Sequence, residues 1–103
     1  SNNDLDFLRS KVVRLGYFIQ EEKLVKDAGI IYTVIVFKKG FRIYSKKDIY
    51  LGPCLRKEKS SLFQEKVQDD LKKMESFYPN IPKSHYEYRR KIKWKIKVLK
   101  SIL

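Results

Sequence analysis

Lys91-Ile92-Lys93-Trp94-Lys95-Ile96-Lys97-Val98-Leu99-Lys100, written KIKWKIKVLK, alternates lysine with a large apolar residue and then breaks step at Val98-Leu99. As a strand it would carry Lys91, Lys93, Lys95 and Lys97 on one face and Ile92, Trp94, Ile96 and Val98 on the other. As a helix it belongs to a longer stripe, Tyr88, Ile92, Ile96, Leu99 and Leu103, at 4-4-3-4 spacing with lysines on both flanks. Length favours the helix. No Gly or Pro interrupts the roughly 20 residues from Lys83 to Leu103, far more than a usual strand holds, and the helical stripe survives the break. The spacing therefore predicts a helix over 83–103, capped by Ser84.

Working back from it, Pro79-Asn80-Ile81-Pro82 is a breaker that ends whatever precedes it. Between Pro53 and Tyr78 there is no internal Gly or Pro, and Phe63, Val67, Leu71, Met74 and Tyr78 repeat at 4-4-3-4. This predicts one amphipathic helix of about six turns, with Pro53 in its first turn. Two such helices on a short link predict an antiparallel hairpin whose stripes meet as a coiled coil. Residues 53–78 are near charge balance, whereas residues 79–103 hold eight basic side chains and one acid, Glu87. The positive field is concentrated on the last helix.

Upstream, Leu5, Leu8, Val12 and Leu15 predict a helix over 4–15, capped by Asn3 or Asp4 and closed by Gly16. Two β-branched and aromatic runs follow, residues 17–26 and 30–38, separated by Lys26-Asp27-Ala28-Gly29, and they read as an antiparallel strand pair. Ile30 to Phe37 is apolar on both faces, as expected of a strand inside a larger sheet. Residues 41–52 give no clear period, strand or loop. The fold class is α+β.

The chain of 103 residues carries a formal charge of +12, which points to nucleic acid or an anionic surface as partner. Part of the lysine excess accompanies the general wealth of Ile, Tyr and Phe. A lone Cys54 and a lone His85 exclude an internal disulfide and a zinc site, and suit a reducing, cytoplasmic setting. No run is long enough to span a bilayer. A membrane-surface role for the last helix is disfavoured because its stripe has a partner helix. With four Gly in all, no glycine-rich phosphate loop can be written.

The order of these elements resembles the C-terminal half of the TrmK family, S-adenosylmethionine-dependent tRNA methyltransferases acting on N1 of adenine 22. Ser1-Asn2-Asn3 resembles the end of the family's Gln-Pro-Asn segment, with Leu8-Arg9 following in the next helix. Gly16-Tyr17-Phe18-Ile19 with Glu22 is similar to its Gly-Phe-x-Ile-x-x-Glu strand, and Ile31-Tyr32-Thr33-Val34-Ile35-Val36 to its Tyr-Glu-Ile-Ile-Val strand. Leu51-Gly52-Pro53-Cys54-Leu55-Arg56-Lys57-Glu58 is close to its Phe-Gly-Pro-x-Leu-x-x-Glu, the most specific stretch. Ser1 stands where the family usually has Pro.

The resemblance implies that residues 1–51 end a class I methyltransferase domain, the strand pair closing a doubly wound, Rossmann-like sheet. Residues 52–103 would then be a helical-hairpin domain that binds tRNA. S-adenosylmethionine is the implied cofactor, bound by a half upstream of Ser1, and these residues alone are expected to be inactive. Asn2 is the residue expected to position the substrate adenine through its N6 amino group, unless Asn2 and Asn3 only form a turn and cap the first helix. Glu22 is either a site carboxylate or, as the commoner case, a solvated partner of Lys23.

Arg89, Arg90, Lys93, Lys97 and Lys100, with Lys91 and Lys95 on the other flank and Arg56 and Lys57 at the hairpin's entry, are the expected contacts to tRNA phosphates. Trp94 and Tyr86 either stack on bases or pack. No metal and no membrane partner are expected. The alternative function is a stand-alone, non-enzymatic RNA-binding or protein-interaction module.

Overall fold

The computed structural model describes residues 5–103, so Asn2 and the expected helix cap at Asn3 or Asp4 lie outside the described residues. The chain forms two compact units, divided after Phe63.

In the first unit, helix α1 (Leu5–Arg14) stops at Gly16, whose φ of 97° is the left-handed region expected of a C-terminal glycine. Its apolar stripe does not face the unit's core: Leu8 and Leu15 are exposed, and the buried residue is Arg9. Strands β1 (Tyr17–Asp27) and β2 (Ile30–Lys39) pair antiparallel. Strand β1 runs one residue further than predicted because the turn needs only two residues, Ala28 at φ 50° and Gly29 at φ 78°, and β2 runs one residue further at its other end.

The register skips at Gln20, so Ile19 faces Phe37 and Glu22 faces Ile35. A bulge of this kind brings two residues three apart onto one face, which strict alternation forbids. Ile19 and Glu22 are accordingly the two buried residues of β1. On the opposite face of β2, Ile30, Tyr32, Val34 and Val36 are exposed, the apolar surplus that the sequence attributed to a strand meant for a larger sheet.

Residues 46–51 form a short helix, α2 (Lys46–Leu51), begun by Ser45, whose side chain accepts a hydrogen bond from the Asp48 amide at 3.1 Å. The single long helix predicted over 53–78 is two helices, α3 (Pro53–Glu58) and α4 (Ser61–Phe77). Lys59 takes left-handed angles, φ 52° and ψ 46°, and the Ser60 hydroxyl accepts from the Phe63 amide at 3.1 Å. A serine can both end one helix and start the next by offering the backbone this alternative bond.

In the second unit, α4 continues with Val67 and Leu71 buried and Met74 half-buried, as the 4-4-3-4 spacing requires. A 3-10 turn (Tyr78–Asn80) ends it. Helix α5 (Tyr86–Ile102) confirms the helical reading of KIKWKIKVLK. It starts after His85 without a side-chain cap, so Ser84 is not its cap. Its buried stripe is Ile92, Lys95, Val98 and Leu99, while Tyr88 and Leu103 are exposed and Ile96 is half-buried. The helix is rotated from the predicted face toward Lys95.

Candidate nucleic-acid interface

Three of the sequence stretches singled out above converge on one buried ion pair. The Arg9 Nε donates to Glu22 Oε2 at 2.7 Å, with side chains 2% and 0% exposed. Glu22 is therefore not a solvated partner of Lys23; the bulge turns it inward. Its Oε1 accepts from the amides of Cys54 at 2.8 Å and Leu55 at 3.4 Å, the unsatisfied donors of the first turn of α3. The Arg9 Nη1 donates to the carbonyls of Ile49 and Tyr50, both at 3.1 Å, at the last turn of α2. Each charge thus sits at the helix end whose dipole it complements.

Gly52 is the pivot between α2 and α3. Its φ is 96°, and a Cβ there would lie 2.7 Å from Arg9 Nη2 and 2.8 Å from both Glu22 oxygens. The Gly-Pro of the resembled motif is required because the guanidinium and the carboxylate occupy the space of a side chain. With both partners satisfied, Glu22 is spent on structure.

Cys54 beside it has its thiol pushed up by burial and then by the Glu22 charge, so it is held protonated and is a poor nucleophile. Among the described residues no cluster of His, Cys, Asp or Glu could hold a metal, and no helix is long and apolar enough to cross a membrane. Nor do they offer a glycine-rich turn for an adenosyl cofactor.

The exposed chemistry of the second unit lies on α5. Arg90, Lys93, Lys97 and Lys100 recur at 3-4-3 spacing and, with Trp94 and Ile96, line an open groove of about 530 Å³. Lys91 is exposed, on another side of the helix. Lys100 Nζ also lies 3.4 Å from Glu75 Oε2 of α4, a solvent-exposed pair of small energetic weight.

Two predicted contacts stand apart from this row. Lys95 is buried, and Arg89 is committed elsewhere. The Arg89 Nη1 donates to the Ile81 carbonyl at 2.8 Å, its Nη2 lies 3.4 Å from the Tyr78 hydroxyl, and its guanidinium stacks 4.8 Å from the Tyr78 ring centroid. In the first unit Arg56 pairs with Asp48 at 2.7 Å, while Lys57 is exposed.

Arg89→Ala is therefore expected to cost about 1.5–3 kcal/mol of stability, as hydrogen bonds from a charged donor do. It should leave the salt dependence of RNA binding unchanged. Urea denaturation and salt titration separate the two effects, and a salt slope reduced by about one would instead place Arg89 on a phosphate.

The same architecture recurs in solved structures. The Streptococcus pneumoniae protein Sp1610, a tRNA (m1A22) methyltransferase by assignment, is 32% identical, with a TM-score of 0.84 over 96% of this chain and 45% of its own. Its complex with S-adenosyl-L-methionine matches at 31% identity and a TM-score of 0.83, over 99% of this chain and 44% of that one. A Streptococcus agalactiae protein of the NADB-Rossmann superfamily is 28% identical, with a TM-score of 0.84 over 96% and 43%. The chain thus spans under half the length of these proteins.

No curated protein matches the chain. The family model for TrmK, tRNA (adenine(22)-N(1))-methyltransferase, matches residues 1–101. With Arg9, Glu22 and Gly52-Pro53 joined in one node and the relatives sharing the fold around it, this chain belongs to the TrmK family.

Proposed function

We propose that this chain is the C-terminal part of an S-adenosylmethionine-dependent tRNA methyltransferase that acts on N1 of adenine 22. The observation that carries the reading is the family match across residues 1–101. Residues 1–51 close the sheet of the catalytic domain, whose remainder lies upstream and binds the cofactor. The bare apolar face of β2 supports this, because such a face needs a covering layer. Residues 52–103 are assigned to tRNA binding, with α4 and α5 as an antiparallel helical hairpin, packed as a coiled coil, that holds tRNA by its phosphates. The row Arg90, Lys93, Lys97 and Lys100 supports that part. Asn2, outside the described residues, is assigned to the adenine's N6 amino group.

Adenine N1 is itself a lone-pair nucleophile, so positioning is the main demand on the protein. The test is methyl transfer by the intact protein from labelled S-adenosylmethionine to tRNA. One methyl at N1 of adenine 22 is expected, and none on a tRNA with guanine at that position. Residues 1–103 alone are expected to be inactive. Salt-dependent RNA binding by the intact protein without methyl transfer would mark it instead as a non-enzymatic binding module.

A further inference from the structure

Helix α5 breaks the usual division between buried apolar and exposed polar positions at two adjacent residues. Lys95 occupies the buried stripe, and Trp94 sits off it in the groove with Ile96. The stripe keeps Ile92, Val98 and Leu99 inside and leaves the indole on the side of the helix that carries the cations. A half-buried indole set among cations is the kind of departure from the usual pattern that is found at functional positions. Arg90, Lys93, Lys97 and Lys100 line the groove with Trp94 along about 15 Å of helix axis.

Phosphate binding alone needs only the cations. A flat indole set among them supplies a face on which any base stacks, and this pairing of cationic groove with aromatic platform is how single-stranded nucleic acid is held without sequence preference. Duplex RNA hides its base faces within the stack and presents phosphates and ribose instead.

We infer that the groove on α5 is a stacking site for an unpaired nucleotide of the RNA, the base lying on Trp94 and Ile96 and the flanking phosphates on Arg90, Lys93, Lys97 and Lys100. The inference rests on the RNA-holding role proposed above. It goes further by naming unpaired RNA as what this face selects.

The test uses the intact protein with a labelled single-stranded RNA and a blunt duplex of equal phosphate number, at two salt concentrations. Wild type is expected to prefer the single strand. Trp94→Leu, which keeps apolar bulk but has no π face, should weaken single-strand binding about tenfold and leave duplex binding and the salt slope alone. Trp94→Phe should restore most of the loss, and unchanged melting of both variants would show that packing is not the cause. Equal affinity of wild type for both RNAs, or a Trp94→Leu variant that binds the single strand like wild type, would overturn the stacking site while leaving the phosphate grip standing. Absence of any salt-dependent RNA binding would remove the grip itself, and the stacking site with it.

Discussion

Glu22→Ala is expected to destabilise the first unit by about 3–5 kcal/mol, the cost of leaving a buried charge without its partner. The guanidinium of Arg9 would keep its two carbonyl acceptors on α2 but lose the carboxylate that its Nε holds. The Cys54 and Leu55 amides would lose their acceptor at the same time. Those amides are also the readout. Their hydrogen-exchange protection should fall by a factor of about 10² to 4 × 10³, the ratio that this free energy represents.

Gly52→Ala should act on the same node from the other side, because its Cβ would displace both ions and its φ of 96° is strained for alanine. Replacing the pair together, as Arg9→Met with Glu22→Leu, should recover much of the loss, since apolar substitutes for a buried pair often break even. If Glu22→Ala costs less than about 1 kcal/mol, the pair behaves as a surface bridge and the node does not hold the unit.

This node also shows where sequence reading reaches its limit. The 3.6 period found α4 and decided α5 against a strand, because those signals come from many residues at once. The strand pair and its glycine turn were legible for the same reason, being sums of local propensity. The bulge at Gln20 was not, and it alone turns Glu22 from the solvated face to the buried one. Nor was the break at Lys59-Ser60, where a serine hydroxyl outcompetes the continuing helix with one hydrogen bond. Nothing in the sequence marks Arg9 as buried, since a cation on an amphipathic helix is ordinarily solvated.

On α5 the cations were found as a group, but their division was not. Burial of Lys95 and the ties of Arg89 to Tyr78 and Ile81 depend on how the helix is turned and on its connector, which periodicity fixes only to within a residue or so. The candidate interface was therefore legible in its charge and its helix. The groove around Trp94 was legible only as two open readings, because whether an off-stripe indole packs or stacks depends on the rotation of the helix.

Arg90→Glu, Lys93→Glu and Lys97→Glu together are expected to produce the largest change in tRNA binding. Each cation neutralises up to one phosphate and releases its condensed counterions, so three contacts account for a slope of about 2–3 in log affinity against log salt. Between 50 and 200 mM salt such a slope corresponds to roughly a thirtyfold change in affinity, which the triple variant should no longer show. At low salt its loss should exceed that of three neutral replacements, since glutamates repel the backbone they face.

In the intact protein the Michaelis constant for tRNA should rise accordingly. Affinity for S-adenosylmethionine should not move, because the proposed cofactor site lies outside these residues. All three side chains line the exposed groove and none is among the buried stripe of α5, so the melting temperature should change little. Arg89→Glu is the contrasting case: it should unsettle the start of α5, where the guanidinium holds Ile81 and Tyr78, before it affects any phosphate. Unchanged tRNA kinetics and salt slope in the triple variant would remove α5 as the RNA grip, whatever activity the intact protein retains.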